Sequence, residues 1–237
     1  MTDLNDVPKM PSMKHLPWSQ EDARQQKWLN RSQTREMFED GQVVITEKMD
    51  GANACLTSEK VYARSHSGEP HRDEWDFLKK QHREELMHKI PDDVAIFGEC
   101  LYARHSIKYE ELPSYFLVFG IYYRPENEWM SWTDTVVMAD ELGLETVPVI
   151  NTVYVSENKS EAVDKLEKIV LFDDLESEPK GESRYGDTRE GYVIRNREAF
   201  GLEDLTENMA KCVREDHVQT EELHWRKGGG TETNELK

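Results

Sequence analysis

The sequence predicts an α+β fold in which twisted, largely antiparallel sheets are flanked by helices. Short runs rich in β-branched and aromatic residues recur along the chain, bounded by Gly, Pro or polar residues, as is typical of strands. Fewer segments show the three- to four-residue apolar spacing of an amphipathic helix. The chain has 237 residues, of which 37% are hydrophobic, so it is long enough to bury a core.

Strands are predicted, in chain order, at residues 42–47, 53–57, 61–65, 94–102, 114–123, 146–155, 191–196 and 208–214. The second and third of these pair plausibly as a hairpin around Ser58-Glu59-Lys60. Residues 114–123 are almost continuously apolar, which favours the centre of a sheet. Pro148 has no backbone N–H to donate, so its strand is expected to lie at an edge or to contain a bulge.

Helices are predicted at residues 19–30, 73–90, 131–142 and 160–172. The first opens on a capping-box pattern at Ser19, and the third is capped by Ser131 and ends at Gly143. In the second helix the apolar residues fall on one stripe, and Pro91 ends it.

The remaining segments lack periodicity. Residues 1–18 are predicted to be an extended arm, residues 173–190 a mobile acidic loop, and residues 227–237 a disordered tail. We therefore expect a single domain over residues 1–226, followed by no further domain.

Composition restricts the class of protein. The formal net charge of −18 argues against a nonspecific nucleic-acid coat, but a local basic cleft would still permit action on nucleic acid. No run of 18 apolar residues and no secretory signal is visible, so we expect a cytoplasmic protein with no membrane partner. The odd number of cysteines, three, agrees with a reducing compartment, and no zinc-binding pattern is present.

Polar side chains stand at the ends of several predicted strands. They are Lys48, Arg64, Glu99, Glu190, Arg195 and Lys211, together with the aromatic Phe119 beside a glycine. Taken singly, each has an ordinary structural explanation, such as a surface charge or a packed aromatic ring. A lysine in such a turn is a nucleophile only where its surroundings keep it deprotonated.

The order of these residues resembles that of the covalent nucleotidyltransferase superfamily, which includes ATP-dependent ligases and mRNA capping enzymes. Lys48-Met49-Asp50-Gly51 is similar to motif I, Arg64 to motif Ia and Phe97-Gly98-Glu99 to motif III. Phe119 is similar to motif IIIa, residues 190–195 to motif IV and Lys211 to motif V. Glu47, Asn53 and the Glu-Gly-Tyr-Val form of motif IV most resemble bacteriophage RNA ligase 2 and the RNA-editing ligases.

The resemblance implies an ATP-grasp-like adenylation domain that joins 5′-phosphate and 3′-hydroxyl RNA ends, with nicked or duplex RNA as partner. Lys48 would attack the α-phosphate of ATP, and AMP would pass to the RNA end. Arg64, Arg195 and Lys211 would lower the pKa of Lys48 and neutralise phosphate charge.

The other residues carried over from the motifs would hold the nucleotide and the metal. Glu99 and Glu190 offer hard oxygen ligands for Mg²⁺ or Mn²⁺, or hydrogen bonds to the ribose. Phe119 would stack on adenine, Glu47 would reach the base edge, and Asn53 would bond the phosphate or the ribose.

Two departures from the resembled group stand out. Val213 occupies the place of a second lysine of motif V, and Arg214 would replace it only from the opposite face of a strand. Only 26 residues follow Lys211, too few for the further C-terminal domain of full-length relatives. A protein partner, the N-terminal arm or residues 217–225 would then have to supply the grip on RNA.

Two alternatives stay open beside an RNA ligase. The same fold serves DNA ligases and capping guanylyltransferases, and a preference for labelling by GTP over ATP would favour capping. A non-catalytic accessory subunit would bind RNA or a partner without forming an adenylate.

Overall fold

A computed structural model describes residues 7–19, 28–37, 41–65, 69–155, 159–172, 181–214 and 232–237. Within these, the helices are α1 (Arg31–Glu36), α2 (Asp76–Gln81), α3 (Trp132–Leu142), α4 (Lys159–Phe172) and α5 (Leu205–Asn208). A 3₁₀ turn, Asp73–Trp75, precedes α2, and a π turn, His82–Leu86, follows it. The expected fold class is confirmed.

The strands form two sheets. They are β1 (Lys14–His15), β2 (Gly41–Lys48), β3 (Ala52–Leu56), β4 (Val61–Ala63), β5 (Val94–Cys100), β6 (Phe116–Tyr123), β7 (Glu128–Trp129), β8 (Glu145–Thr146), β9 (Val149–Val155), β10 (Gly191–Asn196), β11 (Phe200–Gly201) and β12 (Met209–Val213). The first sheet has the order β1-β12-β10-β2-β9, and the second has the order β11-β7-β6-β5-β3-β4, with β8 beside β6. Only the pairs β1–β12 and β6–β8 are parallel among these strands.

Alternation along the strands separates inner from outer faces. On β2, Val43 and Ile45 pack with Leu166 of α4. Val44, on the opposite face of the strand, packs with Leu117 of β6 in the second sheet and with Trp132 of α3. On β3, Leu56 packs toward the second sheet's helices, whereas Cys55 packs with Met209 of β12. The molecule is therefore layered as helices, sheet, sheet and helices, and the two inner faces meet in a central cleft.

The region predicted as one helix over residues 73–90 is a composite. Leu78, His82, Leu86 and Ile90 are all buried at four-residue intervals. In an ideal helix each such step overshoots a turn by about 40°, so the wider π turn keeps these side chains on the same side. His82 Nε2 lies 2.6 Å from the carbonyl oxygen of Thr57, which ties this turn to the second sheet.

Several other boundaries differ from the expectations. The predicted strand 146–155 is split into β8 and β9 around Pro148, with a register shift in the pairing of β2 between Ile45 and Thr46. Most of the predicted helix 19–30 lies outside the described residues, and a capping box instead joins Asn30 and Gln33 at the start of α1. Ser131 and Gly143 bound α3 as predicted, with a φ of 72° at Gly143.

The segments predicted as an extended arm, a mobile loop and a disordered tail are packed against the rest of the chain where the structure describes them. Within the predicted arm, Leu16 is fully buried and β1 pairs with β12. Within the predicted mobile loop, Ser183 and Arg184 donate hydrogen bonds to Glu47, which lines the cleft. Residues 232–237, expected to belong to a disordered tail, lie against residues 101–112, and Asn234 is buried. Each case depends on contacts with distant parts of the chain, which local composition does not encode.

Candidate active site

The candidate site is the cleft between the inner faces of the two sheets. Its empty volume is about 540 Å³, which includes open solvent at its mouth. The cleft is lined by Met10, Met13, Thr46, Glu47, Lys48, Met49, Asn53, Glu99, Phe119, Val147, Val193, Arg195 and Met209. The sequence-predicted residues Glu47, Lys48, Asn53, Glu99, Phe119 and Arg195 are thus brought together, although they come from five strands.

Lys48 stands at the last position of β2, where it meets the start of β10. Its ammonium nitrogen lies 2.5 Å from a carboxylate oxygen of Glu190. The side chain of Glu190 is 4% exposed and that of Lys48 is 23% exposed. The pair is therefore shielded on the carboxylate side and open on the lysine side, where a ligand in the cleft would arrive.

The electrostatic surroundings of Lys48 are the reverse of the expectation. Burial alone lowers the pKa of Lys48, but the carboxylates of Glu190, Glu99 and Asp50 outweigh burial and raise it overall. The predicted lowering by Arg64, Arg195 and Lys211 is wrong for this arrangement, because acidic groups lie nearer to the amine than those cations. Without a ligand, Lys48 is held as an ammonium ion.

Glu99 lies at the cleft on β5, directly across from Asn53 of β3 in the strand register. Burial raises the pKa of Glu99 to about 8, while Lys48 lowers it and Glu190 raises it. Glu99 and Glu190 thus share a site in which two negative charges are costly. A cation placed between such carboxylates would be strongly favoured.

Two glycines allow the backbone to approach closely at this end of the cleft. Gly191 is paired with Lys48 on one side and Val213 on the other. A Cβ atom at Gly191 would lie 2.0 Å from the carbonyl oxygen of Cys212, and one at Gly51 would lie 2.5 Å from that of Cys100. The glycines after Glu190 and Asp50 therefore have a steric reason, namely the tight packing of the strands that carry the site.

The other end of the cleft is apolar. Phe119 of β6, Val193 of β10 and Met209 of β12 line it and are half-buried or buried. The stacking of adenine on Phe119 stays a prediction, which these apolar neighbours would permit.

Arg195 lies at this apolar end rather than beside Lys48. In the register of β10 against β2, Gly191 faces Lys48 and Arg195 faces Val44, four residues further along, about 13 Å at the usual rise. Its guanidinium donates to the carbonyl of Met130 and packs over Trp132 and Phe200, and only 1% of the residue is exposed. Burial lowers the pKa of Arg195 to about 10.

One nitrogen of Arg195, Nη1, has no hydrogen-bond partner among the described residues. Because the guanidinium lies at the deep end of the cleft, its position suits contact with a base more than contact with phosphate. The expectation that Arg195 neutralises phosphate beside Lys48 is therefore not supported by its place on β10.

Lys211 lies within electrostatic reach of Lys48, Glu190 and Arg64. Burial and the charges of Lys48 and Arg64 lower the pKa of Lys211 to about 8, although Glu190 opposes this shift. Arg64 is exposed, and its guanidinium donates to the hydroxyl of Ser12 at 3.2 Å. Neither Lys211 nor Arg64 is among the residues that line the cleft.

Glu47 is already engaged by the segment that follows residue 180. Its carboxylate accepts hydrogen bonds from the hydroxyl of Ser183 at 2.5 Å and from the backbone N–H of Arg184 at 2.9 Å. Glu47 is only 1% exposed. It still borders the cleft, but it also anchors residues 183–184 beside the site, a contact that the sequence did not suggest.

The place of the missing motif V lysine is occupied by an aliphatic side chain. Val213 is paired with Gly191. Arg214, the suggested replacement, donates from its guanidinium to the carbonyl of Gly181 at 2.6 Å. In this structure Arg214 is therefore bonded to the start of the 181–189 segment. This contact does not support the idea that Arg214 takes the place of a phosphate-binding lysine.

Sequence reasoning missed the contribution of the N-terminal segment. Met10 and Met13 line the cleft, and Asn53 contacts the sulfur of Met10 at 3.6 Å. Ser12 accepts from Arg64. No periodic pattern marks residues 7–13, so only the tertiary structure identifies them as a wall of the site.

Several solved structures with a similar fold are named as ligases. An archaeal ATP-dependent RNA ligase is 17% identical over 87% of this chain and 48% of its own, with a TM-score of 0.52. A Naegleria gruberi RNA ligase with PPi is 14% identical over 92% and 63%, with a TM-score of 0.53. A putative ATP-dependent DNA ligase from Aquifex aeolicus is 18% identical over 87% and 50%, with a TM-score of 0.50. This chain thus spans about half to two thirds of the length of each. No curated protein sequence matches significantly.

The layered sheets and the central cleft thus form the same fold as these ligase structures. A family model described as RNA ligase matches residues 41–213. Because the match covers most of the chain, the protein belongs to the RNA ligase family. None of the helices among the described residues is long and apolar enough to cross a membrane.

Proposed function

We propose that this chain is an ATP-dependent RNA ligase that joins a 5′-phosphate to a 3′-hydroxyl through a lysyl-adenylate. The observation that supports the proposal best is the 2.5 Å contact between Lys48 and Glu190 at the open end of an apolar cleft. Membership of the RNA ligase family gives that contact its chemical meaning. The lysine is partly exposed, and among the described residues that line the cleft it alone carries an amine.

The shape of the cleft suggests how ATP would lie. Adenine would occupy the apolar end between Phe119 and Val193, within reach of the unpartnered nitrogen of Arg195. The α-phosphate would then lie at Lys48, and the β- and γ-phosphates would extend past the mouth toward Arg64 and Lys211. Related Naegleria gruberi structures were determined with ATP and Mn, so a relative of the same fold binds this nucleotide.

In the first step the amine of Lys48 attacks the α-phosphorus of ATP. A P–N bond forms, the bond from the α-phosphorus to the bridging oxygen breaks, and pyrophosphate leaves. The lysine must first give up a proton, and the carboxylate of Glu190, already its hydrogen-bond acceptor, is the nearest group to receive it. The raised pKa of Lys48 makes this proton transfer an important part of the barrier.

Glu99 and Glu190 fit a divalent cation. They are hard oxygen ligands that disfavour each other's charge. This pattern suits Mg²⁺, which is commonly held by one or two carboxylates together with substrate phosphates. Bound there, the cation would supply positive charge to the phosphates and offset the carboxylates that raise the pKa of Lys48.

The second and third steps use the same cleft. The 5′-phosphate of an RNA end attacks the phosphorus of the lysyl-adenylate, the P–N bond breaks, and AMP is joined to the RNA through a pyrophosphate bridge. The 3′-hydroxyl then attacks the 5′-phosphate, a phosphodiester forms, and AMP leaves. Arg64 and Lys211 would contact the RNA phosphates, and we infer that the substrate is nicked or duplex RNA.

The proposal is tested by sealing assays on matched nicked duplexes. The chain is incubated with ATP and Mg²⁺ on duplexes whose nicked strand is RNA or DNA, each with a 5′-phosphate. Sealing of the RNA nick, lost in Lys48→Ala, supports an RNA ligase. Preferential sealing of the DNA nick would instead indicate a DNA ligase. RNA binding with no sealing and no adenylate would indicate an accessory subunit.

A further inference from the structure

Residues 232–237 are attached to the segment 101–112 by backbone hydrogen bonds. The amide of Arg104 donates to the carbonyl of Glu232 at 2.8 Å, and the amide of Lys237 donates to the carbonyl of Leu112 at 3.0 Å. Between them, the amide of Glu235 donates to Tyr109 at 2.9 Å. The attachment thus extends along the whole of the 232–237 segment.

Asn234 is the centre of this attachment. It is 1% exposed, and its side-chain oxygen accepts from the backbone N–H of Tyr109 at 2.9 Å. Its side-chain nitrogen donates to the carbonyl of Leu101 at 2.8 Å. Its backbone carbonyl accepts from the hydroxyl of Tyr115 at 3.0 Å. One side chain therefore bridges two points of segment 101–112 that are eight residues apart.

The same segment holds the turn that follows Lys48. The hydroxyl of Tyr109 accepts from the backbone N–H of Asp50 at 2.8 Å. One carboxylate oxygen of Asp50 accepts from the amide of Ser106 at 2.8 Å, from its hydroxyl at 2.9 Å and from the amide of Ile107 at 2.9 Å. Asp50 is 4% exposed, so these four bonds are shielded from water.

We propose that the 232–237 segment positions the nucleophile, with Asn234 and Tyr109 as positioning residues. The hydrogen bonds form a continuous path: Asn234 holds Tyr109, Tyr109 holds the amide of Asp50, and Asp50 follows Lys48 by two residues. This inference rests on the proposed role of Lys48 as the group that accepts AMP. A lysine that attacks phosphorus must be placed accurately, and small displacements reduce the rate strongly.

Loss of the Asn234 side chain would leave the Tyr109 amide and the Leu101 carbonyl without their partner. The turn 49–52 would then be less ordered, while the cleft that binds adenine keeps its lining residues. We expect Asn234→Ala to slow formation of the lysyl-adenylate by roughly 10- to 100-fold at saturating ATP, with KM for ATP little changed. Sealing of RNA that already carries the 5′-adenylate does not use the lysine as nucleophile and is expected to be largely spared.

The experiment compares Asn234→Ala and Tyr109→Phe with Glu232→Gln. Tyr109→Phe removes only the acceptor for the Asp50 amide and keeps the attachment of residues 232–237. Glu232→Gln is the matched control, because it weakens the exposed Glu232–Arg104 ion pair of the same segment and leaves Asn234 in place. Single-turnover adenylation and sealing of pre-adenylylated RNA are measured for each, together with hydrogen exchange of the Asp50 amide.

The expected result is slower adenylation and faster exchange at Asp50 in both test variants, with the control like wild type. Unchanged adenylation in both test variants, or an equal loss of both reactions, overturns the inference. If wild type forms no adenylate, the proposed function fails. Exchange at Asp50 then still reports, without ATP, whether Asn234 orders the turn, and unchanged exchange would overturn the attachment as well.

Discussion

At the residue scale, Lys211 has the lowered pKa that the sequence interpretation assigned to Lys48. Burial and the nearby charges of Lys48 and Arg64 bring the pKa of Lys211 to about 8. Lys211 therefore changes charge close to physiological pH, whereas Lys48 stays protonated because Glu190 is beside it. An arginine at this position would differ from lysine, because it would keep its positive charge at and above physiological pH.

The lowered pKa of Lys211 predicts that the affinity for ATP depends on pH. As pH rises through about 8, Lys211 loses its proton and its positive charge, so the affinity for the polyphosphate should fall. In Lys211→Arg the charge persists, so between about pH 7 and 9.5 the affinity should fall less steeply than in wild type, although Glu99 titrates in both proteins. Equilibrium binding of ATP across this range checks the prediction, and a parallel loss in both proteins would contradict it.

Replacing Gly191 by alanine is expected to destabilise the protein for steric reasons. In Gly191→Ala the new Cβ would lie 2.0 Å from the carbonyl oxygen of Cys212, so β10 and β12 must separate beside Glu190. We expect a loss of stability of about 3 kcal/mol or more, since strain and lost ladder bonds act together. Gly143→Ala is the control: its Cβ meets nothing within 4 Å, and only its positive φ should cost about 1 kcal/mol. Urea unfolding compares them, and equal losses would contradict this reason.

Lys48 shows what the sequence could and could not establish at this scale. The strand end, the following Asp50-Gly51 turn and Glu190 were all identified from ordered motifs, but the ion pair of Glu190 with Lys48 was not predicted. The sign of the pKa shift was not, because it depends on which of several charges lies nearest. Asp50 was recognised as part of a motif, yet its bonds to Ser106 and Ile107 are tertiary contacts that only the structure reveals.

At the element scale, strands with strong local patterns were predicted closely. The strand at residues 191–196 has the predicted bounds, and β2 differs by one residue at each end. The two-residue strands β1, β7 and β11 were missed. Such short strands have no periodicity of their own, and pairing with distant partners creates them.

Because residues of the N-terminal segment 7–13 line the cleft, replacing them is expected to change the affinity for the nucleotide. Replacing Met10 and Met13 by alanine removes apolar surface from the cleft wall. We expect ATP affinity to fall by about 1–2 kcal/mol, roughly 5- to 30-fold, with adenylation at saturating ATP largely retained. Lys9→Ala is a suitable control because Lys9 is exposed and does not line the cleft.

Fluorescence titration with an ATP analogue measures this effect. If the double variant binds ATP like wild type, the N-terminal segment covers the cleft without contacting the nucleotide. If it binds more tightly, the segment competes with the nucleotide for the same space. Either result would contradict the claim that segment 7–13 forms a wall of the cleft that supports the bound nucleotide.

At the scale of the whole molecule, the formal net charge of −18 opposes the approach of RNA. Raising the salt concentration from about 0.01 M to 0.1 M shortens the screening length from about 30 Å to 10 Å. Long-range repulsion then weakens more than contacts at Arg64 and Lys211. We predict that the association rate with duplex RNA rises over this interval, as stopped-flow fluorescence would show. A steady fall would mean that local cations dominate the encounter.

The overall architecture could be predicted because ordered motifs and strand patterns agree on one fold. The regions that the sequence misjudged, residues 7–18, 181–189 and 232–237, lack regular patterns and are held by contacts between distant residues. Leu16, Ser183 and Asn234 are examples, since each is buried or bonded to a residue more than 100 positions away. Composition alone made these segments resemble loops and tails, yet they border or support the candidate site.

The central claim is that Lys48 becomes covalently joined to AMP, and intact-mass analysis with peptide mapping tests it most directly. The chain is incubated with ATP and Mg²⁺, denatured and weighed beside Lys48→Ala. The account predicts that wild type gains the mass of one adenylyl group, located on the peptide containing Lys48 and released by acid, and that the variant gains none. A wild-type chain with no adduct, or an adduct that persists in Lys48→Ala, would contradict the account.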